Sequence, residues 1–314
     1  MRLRIATNNM AEGARIKFLR TNPLLLRRIF SSRVLKDLAN KKLPPELASV
    51  LDSLEKEGQL PEALTLSDLY NAAFKFCFRH QRVEYFYKNA IVEKLVLGRR
   101  SLSTTAAYTE VRVEEAKLDV LLASNCLSAY EIKTDFDELA RLPSQLQAYQ
   151  RACREVSVVT GERYAASVEK LIAPEVGLLV LTDRYQLRAI RPASKSDLTL
   201  SRSTMLALLR RGELVRLLGD LGCDTGSIPN TRIYQEALAA SVGMTRVSVN
   251  EYVAKQLLIR SSSKGELVRG LPTSLAASAL AQDLTHAQIV RLIELFDMDV
   301  TGGIQSELLP VFSR

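Results

Sequence analysis

The sequence has little of what several common functional sites require. It contains two histidines, four cysteines and no tryptophan in 314 residues. The cysteines are widely separated and form neither a CxxC pair nor a Cys/His cluster, so the sequence predicts neither a zinc site nor a disulfide framework. Because His80 and His286 are isolated, any metal site is expected to use carboxylates, which favour hard ions such as Mg²⁺ or Mn²⁺.

Long apolar segments are also missing. No stretch approaches the roughly 20 apolar residues of a membrane helix, and the opening MRLRIATNNMAEG lacks the apolar run of a signal peptide. A composition of 47% hydrophobic and 25% charged residues is ordinary for globular proteins. We therefore expect a cytoplasmic protein with no membrane partner.

Positive charge is concentrated at the amino end of the chain. The net charge is +8, whereas residues 1–42 carry eleven Lys or Arg and two acids, a local charge of +9. Such a region attracts polyanions, among which nucleic acid is the commonest in the cytosol. The alternative is a solvated helical face, because the basic residues alternate with apolar ones; they include Arg15, Lys17, Arg20, Arg27, Arg28, Arg33 and Lys36.

The pattern of residues predicts three regions. Residues 1–79 are expected to form a basic helical region, in which Ser67 is a candidate N-cap. Residues 80–193 show strand-like as well as helical patterns, and residues 194–314 are helical again. A helix-turn-helix is a candidate within residues 232–258, where Arg246, Ser248 and Asn250 would face a DNA groove and Ala239, Gly243, Val249 and Val253 match the helix-turn-helix pattern. Ordinary helix packing is the alternative interpretation of that segment.

Strands and helices alternate in the middle region. A helical segment ending at Gly98 precedes three β-type runs, 106–113, 117–123 and 128–134, whose short connections favour antiparallel neighbours. A helix over residues 136–153, opened by Asp135 and interrupted by Pro143, follows. The remaining pattern completes the order α-β-β-β-α-β-α-β-β, which predicts an α/β fold with one mixed sheet covered by helices on both faces.

Two of these strands carry charged residues at positions that suit phosphodiester chemistry. Asp119 lies in an otherwise apolar run, and strand alternation puts Glu131 and Lys133 on one face. An acid in an apolar strand costs several kcal/mol if it is unpaired. Carboxylates that hold Mg²⁺ beside a lysine can activate water and neutralise phosphate charge. A second Glu-x-Lys, Glu115 to Lys117, lies in a predicted turn and lacks this context.

The chain resembles the PD-(D/E)XK nuclease superfamily, particularly its RecB-like members with a Q-x-x-x-Y helix. The resemblance rests on Asp119, on Glu131-Ile132-Lys133 and on the following Gln145-Leu146-Gln147-Ala148-Tyr149, and it covers about residues 82–191. The segments YFYKNAIVEKL, TEVRV, LDVLL, YEIKT and RLPSQLQAY are similar to those of an uncharacterised bacterial subfamily. Lys117-Leu118 replaces the proline that precedes the aspartate in the founding motif.

The resemblance implies a restriction-endonuclease-like core of order αβββαβ, flanked by helical regions, and a Mg²⁺-dependent nuclease. Asp119 and Glu131 would bind the metal, with help from the Ile132 carbonyl, and Lys133 would be the catalytic lysine. Glu84 is the preferred first-helix acid, with Glu93 as the alternative. Gln145 and Tyr149 lie one turn apart and would face the substrate or the lysine. Bacterial defence or a mobile element is the implied context.

Other interpretations remain open at the level of the sequence. The three charged residues also suit a structural ion-pair network or an inactive nuclease core. Glu110 is expected either near the site or in an exposed pair with Arg112 or Lys117. A non-catalytic nucleic-acid-binding or regulatory protein is the alternative function, and a helical interaction protein is a third. DNA is the preferred substrate over RNA, and cutting both strands of a duplex would favour a homodimer.

Overall fold

The computed structural model describes residues 23–58, 60–61, 63–261, 264–300, 304 and 307–310. Its helices, in chain order, are α1 Pro23–Leu26, α2 Ser32–Ala39, α3 Pro45–Lys56, α4 Leu66–His80, α5 Glu84–Ala90, α6 Leu142–Gln150, α7 Ala165–Glu169, α8 Arg202–Leu206, α9 Arg211–Asp220, α10 Ile233–Ala240, α11 Arg246–Arg260, α12 Gly265–Gly270, α13 Ala276–Leu280 and α14 His286–Phe296. A π-helical segment, Ile91–Leu97, continues α5. Short 3-10 helices are Arg27–Phe30, Asn230–Arg232, Ser241–Gly243 and Thr273–Leu275.

The strands are β1 Lys42–Leu43, β2 Ala106–Val113, β3 Ala116–Ala123, β4 Leu127–Lys133, β5 Glu155–Gly161, β6 Gly177–Leu181, β7 Leu187–Arg191 and β8 Leu309–Pro310. β1 and β8 pair in parallel with each other. The other six form one mixed sheet in the order β2-β3-β4-β5-β6-β7. The predicted sequence of helices and strands is therefore confirmed for the mixed α/β middle region.

The chain forms two compact units. One combines its two ends, through Gln81 and from Leu284 onward, and the other is Arg82–Asp283. The predicted border between residues 193 and 194 differs from this division. It lies inside the second unit because α8 and α11 supply side chains to the same core as the sheet. The helices that follow β7 are thus part of the α/β unit.

The first unit is helical around a small aromatic core. Phe30 meets the rings of Tyr70 and Phe74 edge-on. Thr65 caps α4, because its hydroxyl accepts the Asp68 N–H while the Asp68 carboxylate accepts the Thr65 N–H. The prediction of Ser67 as the cap was wrong by two residues, since Leu66 is already helical. Of the basic residues predicted to form a helical face, Arg15, Lys17 and Arg20 lie outside the described residues.

Connections between strands set the direction of each pairing in the second unit. The two short turns make β2, β3 and β4 antiparallel neighbours. Crossovers through α6 and α7 make β4, β5 and β6 parallel, and β7 returns antiparallel to β6. This agrees with the rule that parallel neighbours need a long, usually helical, connection.

Helices cover both faces of the sheet. On one face α6, α8, α10 and α11 share a core with strand residues such as Leu121, Ala129 and Val158. The alternating strand residues, such as Val120, are buried outside that cluster, and on their side α5 packs against β4 and α13 against β2. Every residue of β4 is buried, as expected for a central strand enclosed by two layers.

The helix predicted over residues 136–153 begins later than expected. Asp137 accepts hydrogen bonds from the Thr134 N–H and hydroxyl, each at 2.7 Å, and this closes a turn after β4. Asp135 therefore does not cap a helix. α6 starts at Leu142, because Pro143 is favourable in a first helical turn but not further inside.

The structure has a helix, a turn and a helix within residues 232–258, with Arg246 exposed, but it contradicts the helix-turn-helix interpretation at Asn250 and Ala239. Asn250 is fully buried, where its side chain accepts the Leu127 N–H at 3.0 Å and donates to the Ala152 carbonyl at 2.8 Å. Ala239 is exposed, and α10 packs on α8 and α9. Val249 and Val253 are buried as predicted, but against the sheet core. α11 is thus a helix of the α/β unit, and its Asn250 side chain hydrogen-bonds the backbone at the start of β4.

None of the helices in the described part of the chain combines the length and the hydropathy that crossing a bilayer requires.

Candidate functional site

The predicted strand residues meet where β3 and β4 separate. The two strands pair from Ala123/Leu127 to Val120/Tyr130. One residue further, the Asp119 carboxylate accepts the Ile132 N–H at 2.7 Å, in place of a ladder hydrogen bond. The carboxyl group of Asp119 is therefore held at the gap beside the end of β4, which carries Glu131 and Lys133.

Glu131 and Lys133 belong to a hydrogen-bonded group that α6 completes. Lys133 donates to Glu131 Oε1 at 2.8 Å and to the side-chain amide oxygen of Gln145, Oε1, at 2.9 Å. The Tyr149 hydroxyl lies 2.8 Å from the second carboxylate oxygen of Glu131 and 3.0 Å from the Lys117 carbonyl oxygen. Glu131 is only 2% exposed and Lys133 8%. We call these four side chains the lysine network, and Gln145 and Tyr149 hold the Glu131–Lys133 pair in one geometry.

A second group lies beside the first. Glu84, at the start of α5, Glu110 of β2 and Asp119 each offer a carboxylate oxygen, and the three atoms lie within 4.8 Å of one another. We call them the acid cluster. Glu84 and Glu110 are exposed and Asp119 is half-buried, so the cluster is open to solvent. Glu93, the alternative first-helix acid, instead pairs with Lys94 at 2.6 Å.

Two lysines neutralise part of this charge. Lys88 pairs with both Glu84 and Glu110, and Lys117 pairs with Glu110. Lys117 was one of the two partners expected for Glu110, and Arg112 instead pairs with Glu115. Lys88 lies one helical turn after Glu84, the spacing at which Glu and Lys attract each other on a helix.

Glu110 has an unusual backbone. Its φ is +60°, in the left-handed region that residues with a Cβ rarely adopt. Thr109 and Val111 pair with Val120 and Leu118, so Glu110 falls opposite Asp119 at an interruption of the β2–β3 ladder. Such a conformation costs about 1–3 kcal/mol and is concentrated at functional sites. Here it brings the Glu110 carboxylate into the acid cluster.

Burial is the main cause of the raised pKa values of Asp119 and Glu131, and repulsion between neighbouring carboxylates adds to it. Burial, with the charges of Glu131 and Glu84, raises the pKa of Asp119 to about 8, although the hydrogen bond from Ile132 opposes the shift. Burial also raises the pKa of Glu131, against the lowering effect of Lys133 and Tyr149. The pKa of the Tyr149 hydroxyl is raised by burial and by Glu131, so it remains a donor. The acid cluster and the lysine network therefore affect each other's pKa values, and their carboxylates outnumber the neighbouring lysines.

The donor set fits a hard divalent cation. Three carboxylate oxygens at mutual distances below 4.8 Å suit Mg²⁺ or Mn²⁺, which prefer oxygen ligands. The ligands that the structure brings together are Asp119, Glu84 and Glu110. Both Glu131 oxygens already accept hydrogen bonds from Lys133 and Tyr149. Ile132 contacts Asp119 through its amide, so its predicted role as a carbonyl ligand stays a prediction.

Sequence analysis missed the contribution of Lys88 and left that of Glu110 open. A signal for Lys88 was present in its spacing of four residues from Glu84. For Glu110 no local pattern was available, because its placement depends on the register of β2 on β3. Both residues fall within the segments that the resemblance covers.

Comparison with known proteins matches the part of the chain that contains the site. Residues 78–271 match a family model described as "Bacteriophage P4 protein cII". "Protein cII" of Enterobacteria phage P4 is 27% identical over 133 residues, which cover 42% of this chain and 50% of that protein. The chain thus spans about half the length of the curated relative that it matches. All residues of the acid cluster and the lysine network lie within the family match.

A solved structure of a protein of unknown function from Silicibacter pomeroyi is 19% identical to this chain. The match covers 33% of this chain and 68% of that one, with a TM-score of 0.27. A score of that size does not establish a shared fold.

Proposed function

The chain belongs to the bacteriophage P4 protein cII family, and we propose that it is a metal-dependent nuclease that hydrolyses phosphodiester bonds, with DNA as the preferred substrate. The proposal includes a restriction-endonuclease-like core formed by α5, β2, β3, β4, α6 and β5. One observation carries it above the others. The lysine network and the acid cluster lie side by side where β3 and β4 separate.

In this proposal, different charged groups bind the metal and stabilise the charge of the phosphate. Glu84, Glu110 and Asp119 would hold the cation, with Glu131 next to them. A divalent ion held there supplies neutralisation of phosphate charge and eases the deprotonation of water. Lys133, held by Glu131 and Gln145, would stabilise negative charge that develops on the phosphate.

Two side chains of α6, Gln145 and Tyr149, would contribute by holding Lys133 and Glu131 in place. Tyr149 donates towards Glu131, and Gln145 accepts from Lys133, so the helix fixes both members of the pair. Fixed donors of this kind stabilise a transition state without having to reorganise as charge develops. The nearly complete burial of Glu131 also strengthens its attraction for Lys133.

The test is a cleavage assay with purified protein on linear, circular and single-stranded DNA and on RNA, with and without Mg²⁺. We expect Mg²⁺-dependent cleavage that falls by about 100-fold or more in Asp119→Asn and Lys133→Ala. Nucleic-acid affinity should remain within about twofold, because phosphate contacts elsewhere supply it.

Glu115→Gln is the matched control, because Glu115 belongs to the other Glu-x-Lys copy and its side chain is 95% exposed. It should cleave as the wild type does. Equal activity of the Asp119 and Lys133 variants would refute the assignment, and binding without any cleavage would favour a non-catalytic nucleic-acid-binding protein.

A further inference from the structure

The Lys88 ammonium group binds carboxylates that a cation in the acid cluster would also bind. Its side chain is 13% exposed, and its ammonium group pairs with the carboxylates of Glu84 and Glu110, two of the three members of the acid cluster. Lys117 reaches only Glu110, and its side chain is 67% exposed. A divalent ion and the Lys88 ammonium would therefore compete for the same carboxylate oxygens, and their like charges would repel each other.

Formal charge shows what Lys88 changes. The acid cluster carries three negative charges when it is fully ionised, and Lys88 and Lys117 reduce the local charge to −1. Glu131 and Lys133 form a neutral pair beside it. With a divalent cation the site would then carry +1, which attracts a phosphodiester. Without the two lysines it would carry −1 and repel one.

We propose, on the premise of the function above, that Lys88 is a positioning residue with two successive partners. While no divalent cation is bound, Lys88 neutralises Glu84 and Glu110 and keeps their carboxylates together. When these carboxylates take the cation, Lys88 leaves them and pairs with the phosphodiester of the nucleic acid. The flexible four-carbon chain of lysine and its compact ammonium group allow this exchange.

The exchange predicts opposite effects of one substitution on two affinities. Lys88→Met removes the competitor, so Mn²⁺ should bind about five- to tenfold more tightly in isothermal titration calorimetry of the full chain. Lys88→Gln should behave in the same way and guards against a misfolded Met variant. Lys88→Arg keeps the charge and should bind Mn²⁺ within about twofold of the wild type. Lys117→Met should show a smaller change, because Lys117 touches one exposed carboxylate.

The second affinity is that for a fluorescent DNA oligonucleotide at saturating Ca²⁺, used as a probe ion. Here Lys88→Met should bind about five- to tenfold more weakly, and the dependence of log affinity on log salt concentration should become shallower by about one. Lys88→Arg should restore both values.

The outcomes separate this inference from the function on which it rests. Absence of Mn²⁺ binding by the wild type would overturn both. Wild-type binding that Lys88→Met and Lys88→Gln leave unchanged or weaken would overturn this inference alone. Tighter Mn²⁺ binding with unaltered oligonucleotide affinity and salt dependence would overturn the phosphodiester step.

Discussion

At the scale of single residues, Asp119 combines two demands that oppose each other. Its carboxylate accepts the Ile132 N–H at the point where two strands separate, whereas burial and the charges of Glu131 and Glu84 raise its pKa. A group placed in this way destabilises the metal-free protein when it ionises. Sites that trade stability for binding are expected to have this property.

The raised pKa of Asp119 predicts a definite dependence of stability on pH. The protonated form is favoured in the folded chain, so the free energy of unfolding should fall as the pH rises from about 4 to about 8, the interval between the ordinary and the folded-state pKa. Asp119→Asn removes this ionisation and keeps an acceptor for Ile132. In urea unfolding with a chelator present, we expect the variant to exceed the wild type by about 1 kcal/mol or more at pH 8.

The difference should nearly vanish at about pH 3, below the ordinary aspartate pKa, where the wild-type carboxyl is largely protonated in both states. Added Mn²⁺ should stabilise the wild type and not the variant. A variant that is less stable than the wild type at both pH values would contradict this account of the site.

The residues that sequence analysis found and those it missed differ in one physical respect. Asp119, Glu131 and Lys133 stand out because each interrupts an apolar strand, a local pattern. Glu110 reaches the site only through the register of β2 on β3, which no short window of sequence contains. The spacing of Lys88 from Glu84 is local, but its contact with Glu110 depends on the placement of α5. The backbone of Glu110, with φ of +60°, is likewise a tertiary outcome.

At the scale of elements, alternation and turn residues defined the strands closely. The expected runs 106–113, 117–123 and 128–134 correspond to β2, β3 and β4 with shifts of one residue or none. Helix ends were less predictable, as at α6, where a side chain of the preceding turn takes up the backbone groups. The failure at α11 is of another kind, because a valine pair at helical spacing does not reveal which surface covers it.

α11 provides the prediction at this scale. Asn250→Ala should lower the free energy of unfolding by about 2–4 kcal/mol, because it leaves the buried Leu127 N–H and Ala152 carbonyl without their partner. Thermal or urea unfolding measures the loss. Lys255→Ala, at an exposed position of the same helix, is the control and should be nearly neutral.

A recognition helix would give the opposite pattern. In that case Asn250→Ala would lower affinity for duplex DNA and leave stability unchanged. This outcome would contradict the placement of α11 in the sheet core.

At the scale of the whole molecule, the second unit contains every side chain of the proposed site, whereas the densest positive charge in the sequence, +9 over residues 1–42, belongs to the first. Residues 1–22 contain five basic residues and one acid. Their contribution to nucleic-acid binding should be independent of base sequence and sensitive to salt, because it comes from charge.

Deletion of residues 1–22 should therefore weaken oligonucleotide binding by roughly tenfold at 0.1 M salt and flatten its salt dependence. Mn²⁺ affinity should not change, since the acid cluster is unaltered. Replacing the five basic residues of this segment by glutamine keeps the length of the chain and is the matched control. It should weaken oligonucleotide binding to the same extent. Binding of the deletion variant that equals the wild type at all salt concentrations would exclude this role for the amino end.

The link between Asn250 and Leu127 spans 123 residues of sequence. When β4 has been synthesised, Asn250 has therefore not yet been added to the chain, although its side chain accepts the Leu127 N–H at the start of that strand. Contacts of such long range form late and slow the folding of a chain. We accordingly expect the carboxylates and the lysine to assume their final arrangement only near the end of synthesis, so that nascent chains remain without a formed centre while they are still tethered.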